Sequence, residues 1–227
     1  MKPKKFLVFD AGPIISLTMN GLLPILEKLK KEFDGEFVIT PDVKKEVVDR
    51  PLKIKKYALE GVKVSHLIEK GVLVLSSKFV SDSVLNREAK KILKSVNSAF
   101  RDEKTGDKIG LIHEGEASLL AFANLCKCNN VIVIDERTTR MLTEAPEKLE
   151  HLMEKKLHTD IDADIDKLKE LERFKFIRSA ELLYVAYKKN LFELKKNKVL
   201  LDALLYGVKF NGAAISSREI EKIKKLV

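Results

Sequence analysis

The sequence has no tryptophan and no glutamine, and it has only two cysteines. Cys126 and Cys128 stand two apart, a spacing that suits no standard zinc site, and no second pair exists to complete one. They read as reduced thiols packed at a helix end, which sets the expectation of a cytoplasmic protein. Long apolar runs are missing as well. None approaches the roughly 18 residues needed to cross a bilayer, so no membrane partner is expected. The start Met1-Lys-Pro-Lys-Lys5 is positive, but Asp10 interrupts the following apolar stretch too soon for a secretion signal. No internal repeat and no low-complexity linker occurs. The lack of Trp and Gln, beside abundant Lys, Glu and Ile, fits a thermophile's composition.

What the sequence does have is positive charge and buried-strand grammar. Lys and Arg outnumber Asp and Glu 43 to 34, for a net charge of +9. Such an excess favours a polyanionic partner, most economically nucleic acid. The charge is uneven: residues 136–173 hold eleven acids and eight bases, whereas 188–227 hold ten bases and four acids. With 227 residues, the chain fits one large α/β domain or one domain with appendages.

Phe6-Leu-Val-Phe-Asp10 is an apolar run ending on a carboxylate, and Val131-Ile-Val-Ile-Asp135 repeats the pattern. Without polar alternation, both read as strands buried on two faces, as in a parallel sheet. Acids at the carboxyl ends of such strands point into the crevice where open α/β sheets bind ligands. Between the two runs, Ile14 to Leu29 reads as two short helices broken by Gly21 and Pro24, and Phe37–Thr40 as a strand. Thr40-Pro41-Asp42 is a helix start whose spacing puts Val43, Glu46, Val47 and Arg50 on one face. From Pro51 to about Lys78 the pattern loosens, apart from a strand at Val72–Leu75. Asp82–Asn97 reads as a helix, Arg101–Lys108 as a polar connection, and Glu116–Leu125 as the most apolar helix of the chain.

Past Asp135, a helix opens at Glu136. The run Asp160-Ile-Asp-Ala-Asp-Ile-Asp166 resembles the start of a calcium loop. Ile165 replaces the required Gly and Leu171 the required Glu, so it reads as a solvated turn before a helix. Phe174–Arg178 reads as the last strand, Ser179 as the cap of a helix, and Val199–Val208 and Ser217–Leu226 as two more. The last opens on a capping box, Ser216 with Glu219. Alternating strands and helices argue for βαβ units and a parallel sheet.

Four acids therefore stand out: Asp10, Glu46, Glu116 and Asp135. Two end buried strands and two lie on inner faces of helices. Four carboxylates at one rim repel unless a divalent cation compensates them. An all-oxygen set suits Mg²⁺ or Mn²⁺, the metals of phosphoryl-transfer chemistry. The bland alternatives are two strand-end aspartates capping helices, an ordinary helix glutamate, and a first-turn acid complementing a helix dipole. His113 and Glu114 read as capping and surface residues rather than ligands, and a haloacid-dehalogenase-like reading would need a second Asp at Gly12.

The blocks Phe-Asp-Ala-Gly-Pro-Ile-Ile-Ser-Leu (9–17), Thr-Pro-Asp-Val-Lys-Lys-Glu-Val (40–47), His-Glu-Gly-Glu-Ala-Ser (113–118) and Val-Ile-Asp-Glu-Arg-Thr-Thr-Arg (133–140) resemble those of PIN-domain nucleases, in order and with the acids in place. The tail from Ala180 through Leu191 to Ile215-Ser216 resembles a prokaryotic subgroup related to VapC-type toxins. The resemblance implies a three-layer α/β/α sandwich around a parallel sheet of about five strands, with a helical insertion and C-terminal helices. The chain is longer than the compact toxins, with extra material near 51–110 and 141–173, so it is read as a nuclease domain over 1–187 carrying a helical, acidic insertion at about 141–173, with a helical extension over 188–227 packed on it. The resemblance also implies a Mg²⁺- or Mn²⁺-dependent endoribonuclease. Asp10, Glu116 and Asp135 would hold the metal, Glu46 would complete the catalytic acids, and Thr138, Arg140 and Arg137 would meet substrate. The chain departs from many relatives at Gly12, where they carry Ser or Thr. Two other readings stand beside the enzyme: a module that binds RNA or protein without turnover, and a toxin restrained by an antitoxin. A homodimer is an expectation from the resemblance alone.

Overall fold

Phe6, Val8 and Phe9 are almost wholly shielded from solvent, as expected of a strand with helices over both faces. The computed structural model describes residues 5–126, 129–171 and 173–226; Cys128 lies outside them. The described strands are β1 (Lys5–Phe9), β2 (Glu36–Ile39), β3 (Leu73–Leu75), β4 (Phe100–Asp102), β5 (Asn129–Val133), β6 (Ile161–Ala163) and β7 (Phe176–Ile177). Five form one sheet in the order β3-β2-β1-β5-β7, with every neighbouring pair parallel. β1 is the middle strand, with Val8 opposite Val38 on one side and Ile132 on the other.

Helices flank this sheet to make a three-layer α/β/α sandwich. They are α1 (Ala11–Met19), α2 (Ile25–Glu32), α3 (Pro41–Lys44), α4 (Ala58–Glu69), α5 (Asp82–Val96), α6 (Glu114–Leu125), α7 (Arg137–Glu144), α8 (Pro146–Leu157), α9 (Ser179–Lys188), α10 (Lys198–Phe210) and α11 (Ser217–Lys224). The break between α1 and α2 falls where Gly21 and Pro24 place it, with Gly21 in the left-handed region at φ +67°. α6 is the expected apolar helix; Leu119, Leu120, Ala121 and Phe122 are all buried. Among the described residues no helix is long and apolar enough to cross a membrane.

The structure departs from the sequence reading in four places. First, the loosened stretch after Pro51 contains the three-turn helix α4. Only Gly61, Val64 and Leu67 of it are buried, and so narrow a stripe leaves little periodic signal. Second, α3 runs into a π-helical turn over Lys45–Asp49, closed by Arg50 N–H donating to the Lys45 carbonyl at 2.8 Å. Val47 and Val48 are both buried there while Arg50 is exposed, so the face predicted from 3.6-residue spacing is not kept.

Third, the supposed polar connection and the supposed solvated turn pair with each other. β4 and β6 form a two-stranded antiparallel sheet, with Phe100 opposite Ala163 and Asp102 opposite Ile161. The Asp-Ile-Asp-Ala-Asp-Ile-Asp run is a period-two pattern: Ile161 is buried while Asp162, Asp164 and Asp166 are exposed. Asp164 and Asp166 are taken up by Lys167 and Lys169, at 2.8 and 2.7 Å. Fourth, Ser179 does not cap α9. Arg178 occupies that position, and its N–H donates to Glu181 Oε2 at 2.9 Å.

Candidate active site

The chain builds β1, β2 and β3 outward on one side, then returns to lay β5 and β7 on the other. The strand order reverses beside β1, so a crevice opens at the carboxyl ends of β1 and β5. Asp10 follows β1 directly and Asp135 lies two residues past β5. The Asp10 N–H donates to the Val133 carbonyl at 2.9 Å, which ties the two strand ends together.

Asp10 caps α1, its Oδ2 accepting from the Gly12 N–H at 3.4 Å. Burial pushes its carboxyl up to about 7, with Glu116 adding to the shift and Glu46 adding less. The N–H groups of Ala11 and Gly12 pull the other way and lose. An acid with this pKa exchanges its proton near neutrality, as functional-site carboxyls often do.

Glu46 projects from the π-helical turn, a local irregularity that often marks functional positions. Its placement begins with Thr40, whose Oγ1 accepts from the Val43 N–H at 3.4 Å to cap α3. The Ser118 hydroxyl donates to the Gly115 carbonyl, so Thr40 is the donor in its 2.7 Å bond to Ser118. That bond docks the start of α3 against α6. A Cβ on Gly115 would lie 3.5 Å from Glu46 Oε1, so the glutamate rests on the first turn of α6. Burial raises the Glu46 carboxyl; Arg50 opposes the shift, and Glu116 and Asp42 add to it.

Glu116 is in that same turn. Its Oε2 accepts from the His113 N–H at 3.0 Å, the reciprocal half of a capping arrangement. The bland role for Glu116 is therefore real, and so is its charge coupling to Asp10 and Glu46. His113 is the N-cap residue and Glu114 is exposed, as expected.

Asp135 is 2 % exposed. Its Oδ1 accepts from the Ser179 N–H at 2.8 Å and from the Ser179 hydroxyl at 3.0 Å. Among the described residues, Oδ2 is buried with no hydrogen-bond partner. Burial raises this carboxyl against the two Ser179 bonds that lower it, and its charged neighbours are Glu181 and Arg140. Gly12 lies between the two aspartates: a Cβ there would sit 3.4 Å from Asp10 Oδ2 and 3.8 Å from Asp135 Cβ.

The structure thus couples Asp10 in charge to Glu116 and Glu46, and Glu46 to Glu116, and sets Asp135 across Gly12 from Asp10. Among the described residues, no three His, Cys, Asp or Glu stand close enough together to hold a metal ion as the side chains are placed.

The residues expected to meet substrate divide. Arg137 is exposed and Thr138 half-buried on the first turn of α7. Arg140 is turned to the C-terminal segment, its Nη2 donating to the Ala214 carbonyl at 3.3 Å. Burial and the nearby Arg178 lower its pKa. Arg178 donates to the same carbonyl at 3.3 Å and to Glu219 at 2.6 Å, and it also pairs with Glu181. Burial opposes its charge, but Glu181 and Glu219 outweigh that and hold the guanidinium above its usual range. The Ala214 N–H in turn donates to the Asp135 carbonyl at 3.0 Å, so the tail is stitched to the edge that carries Asp135.

Sequence reasoning overlooked Ser179, Thr40 and Ser118 as positioning residues, and Arg178 as the anchor of the tail. The sequence marks Ser179 only as a hydroxyl just past the last strand; that this strand lies beside Asp135's is set by the fold. Arg178 is 7 % exposed, and nothing in the pattern marked it.

A cavity of about 610 Å³ opens beside Glu46, with Asp42, Lys45, Arg50, Asn97 and His113 among its walls. It sets Lys45 and Arg50 on the same wall as Glu46. Comparison with family models, with curated proteins and with solved structures gives no match to this chain.

Proposed function

We propose that the protein is a metal-dependent endoribonuclease of the PIN type, hydrolysing RNA phosphodiester bonds at the Asp10, Glu46, Glu116 and Asp135 site. One observation carries the reading. Asp10, coupled in charge to Glu116 and Glu46, lies at the topological switch of a parallel sheet with Asp135 across Gly12 from it, and Asp135 keeps a buried carboxylate oxygen without a partner among the described residues. A buried anion whose only donors lie on one oxygen calls for a cation at the other. The donor set is all oxygen, which suits Mg²⁺ or Mn²⁺.

Asp10, Glu116 and Asp135 would hold the ion, which would supply charge neutralisation at the phosphodiester and a lowered pKa for an attacking water. The chain's own residues do the rest. Asp10, with its carboxyl near 7, exchanges its proton near neutrality, and a bound cation would favour its ionised form. Glu46, half-buried and raised, is placed to accept a proton from water at the crevice. Lys45 and Arg50 on the crevice wall attract the backbone phosphates, and Ser179 orients Asp135.

A second reading, an RNA- or protein-binding module without turnover, is favoured by Gly12, which offers no hydroxyl beside Asp10, and by Arg140, which is engaged by the tail. The two separate in one experiment. Purified protein is incubated with structured and single-stranded RNA, with and without Mn²⁺. Cleavage by the wild type and its loss in Asp10→Asn support the enzyme. RNA binding by both proteins with cleavage by neither rejects it. A restraining antitoxin or a homodimer is compatible with either reading.

A further inference from the structure

On the other side of Glu46 and Arg50 lies a second cavity, of about 430 Å³, within the range of small-ligand sites. Its wall is apolar where Ile15, Met19, Ile54 and Tyr57 line it, and all four are partly open to solvent. Its floor is not apolar. Glu60 lines it, and Glu60 Oε2 is buried with no hydrogen-bond partner among the described residues. The position of Glu60 is set by the backbone: a Cβ on Gly61 would lie 3.2 Å from the Leu52 nitrogen and the Val48 carbonyl, so α4 is pressed against the π-helical turn. The rim is basic. Lys53, Lys55 and Lys56 are exposed on the segment between Arg50 and Tyr57, and Lys56 Nζ stands 5.1 Å from the Tyr57 ring centre.

An occupant must therefore offer a flat apolar body, N–H donors for a carboxylate, and an attached anion for the lysines. A nucleotide base satisfies all three. Among the bases, guanine alone has two adjacent donors, N1–H and the N2 amino group, to match the two oxygens of a carboxylate. A cationic peptide side chain would also satisfy Glu60, but it would be repelled by the lysines of the neighbouring segment. We propose that this cavity is a guanine subsite flanking the scissile phosphate, with Glu60 accepting from the base edge and Tyr57 lying against the base face. The proposal rests on the ribonuclease reading above and adds a base preference to it.

Guanosine 5′-monophosphate and uridine 5′-monophosphate are titrated into the full chain by calorimetry, with EDTA present so that no cleavage intervenes. Guanosine monophosphate should bind more tightly by roughly tenfold to a hundredfold, the worth of one bidentate base contact. Glu60→Gln should bring it to the level of uridine monophosphate without lowering Tm. Tyr57→Ala should weaken both nucleotides and serves if Glu60→Gln melts early. With Mn²⁺ and RNA, wild-type cuts should cluster beside guanines, and those of Glu60→Gln should spread.

Equal affinity for the two nucleotides, or none for either, overturns the subsite. So does an oligolysine peptide that binds in a Glu60-dependent way while guanosine monophosphate does not. Mn²⁺-dependent cleavage without base preference removes the subsite and leaves the nuclease. Glu60-dependent guanine binding with intact RNA leaves the subsite and removes the nuclease.

Discussion

Ser179 gives both of its donors to one oxygen of Asp135: the backbone N–H at 2.8 Å and the hydroxyl at 3.0 Å both reach Oδ1, while Oδ2 is buried and has no partner among the described residues. The carboxylate is thereby fixed in orientation with one oxygen reserved. Ser179→Ala removes the hydroxyl but keeps the N–H. Loss of one hydrogen bond to a buried carboxylate should cost about 1–2 kcal/mol of stability. The Asp135 carboxyl, already raised by burial, rises further without that donor. On the proposed ribonuclease reading, the acidic limb of the cleavage pH profile should then move to higher pH, with the rate at neutral pH down by roughly tenfold or more, as when a partner supporting a metal ligand is lost. A melt and a pH–rate series read both effects. An unmoved acidic limb would show that Ser179 does not act through Asp135.

Asp10 makes the fold sensitive to pH in a defined direction. Its carboxyl is raised from 3.8 to about 7, so between those values the folded chain keeps a proton that the unfolded chain has lost. Stability therefore falls as pH rises through that window and levels off above it. In EDTA-treated protein, Asp10→Asn should flatten this fall and gain about 1–3 kcal/mol at pH 8. Mn²⁺ should raise the wild-type Tm at pH 8 and raise that of Asp10→Asn much less, since a ligand that binds the folded state stabilises it. Thermal melts at pH 4, 6 and 8 decide the matter.

Much of this arrangement is legible in the residues, for physical reasons. Apolar runs without alternation mark strands covered on both faces, so β1, β5 and their terminal acids can be read directly. Thr40-Pro41 and Gly115 mark helix starts, which places Glu46 and Glu116 near one rim. The π-helical turn at Glu46 is not legible, because one extra residue per turn leaves no mark in the spacing. β4 and β6 were hidden because their pairing spans sixty residues and each strand has only three. The alternation of Asp and Ile over 160–166 is a strand signal that the likeness to a calcium loop masked. The bond of Ser179 to Asp135 joins adjacent strand ends, a relation that exists only in the folded sheet.

Gly12 offers a test by addition. A Cβ at this position meets Asp10 Oδ2 at 3.4 Å and Asp135 Cβ at 3.8 Å, close to ordinary contact distances. Gly12 also sits in the first turn of α1, where a residue other than glycine lowers the entropy of the unfolded chain. Gly12→Ser should therefore fold, with stability unchanged or higher by about 0.5 kcal/mol. Its hydroxyl would stand between the two aspartates, and Mn²⁺-dependent cleavage should rise severalfold. A folded variant with unchanged or lower cleavage would mean that the site does not use a hydroxyl there.

The tail supplies a pH response of opposite sign to that of Asp10. Glu219 is pulled down to about 2: burial alone would raise it, but the Ser216 donors and the Arg178 guanidinium outweigh that. Its folded pKa lies below the ordinary 4.5, so it stabilises the fold above that value and loses the contribution as pH falls toward 2. The Glu219 side chain is 44 % exposed, so solvent screening keeps the gain to about 1 kcal/mol. Glu219→Gln should lower Tm at pH 6 and leave it nearly unchanged at pH 2.5, the reverse of the Asp10→Asn pattern. The consequence reaches the site through Ala214, whose N–H is bonded to the Asp135 carbonyl and whose own carbonyl is shared by Arg140 and Arg178. Freed from Glu219, Arg178 still holds Glu181, so the tail should loosen before the sheet edge does. Hydrogen exchange at the Ala214 amide should accelerate in Glu219→Gln while that at Asp10, bonded to Val133, stays slow. Equal acceleration at both amides would show that the tail and the central strands open as one unit.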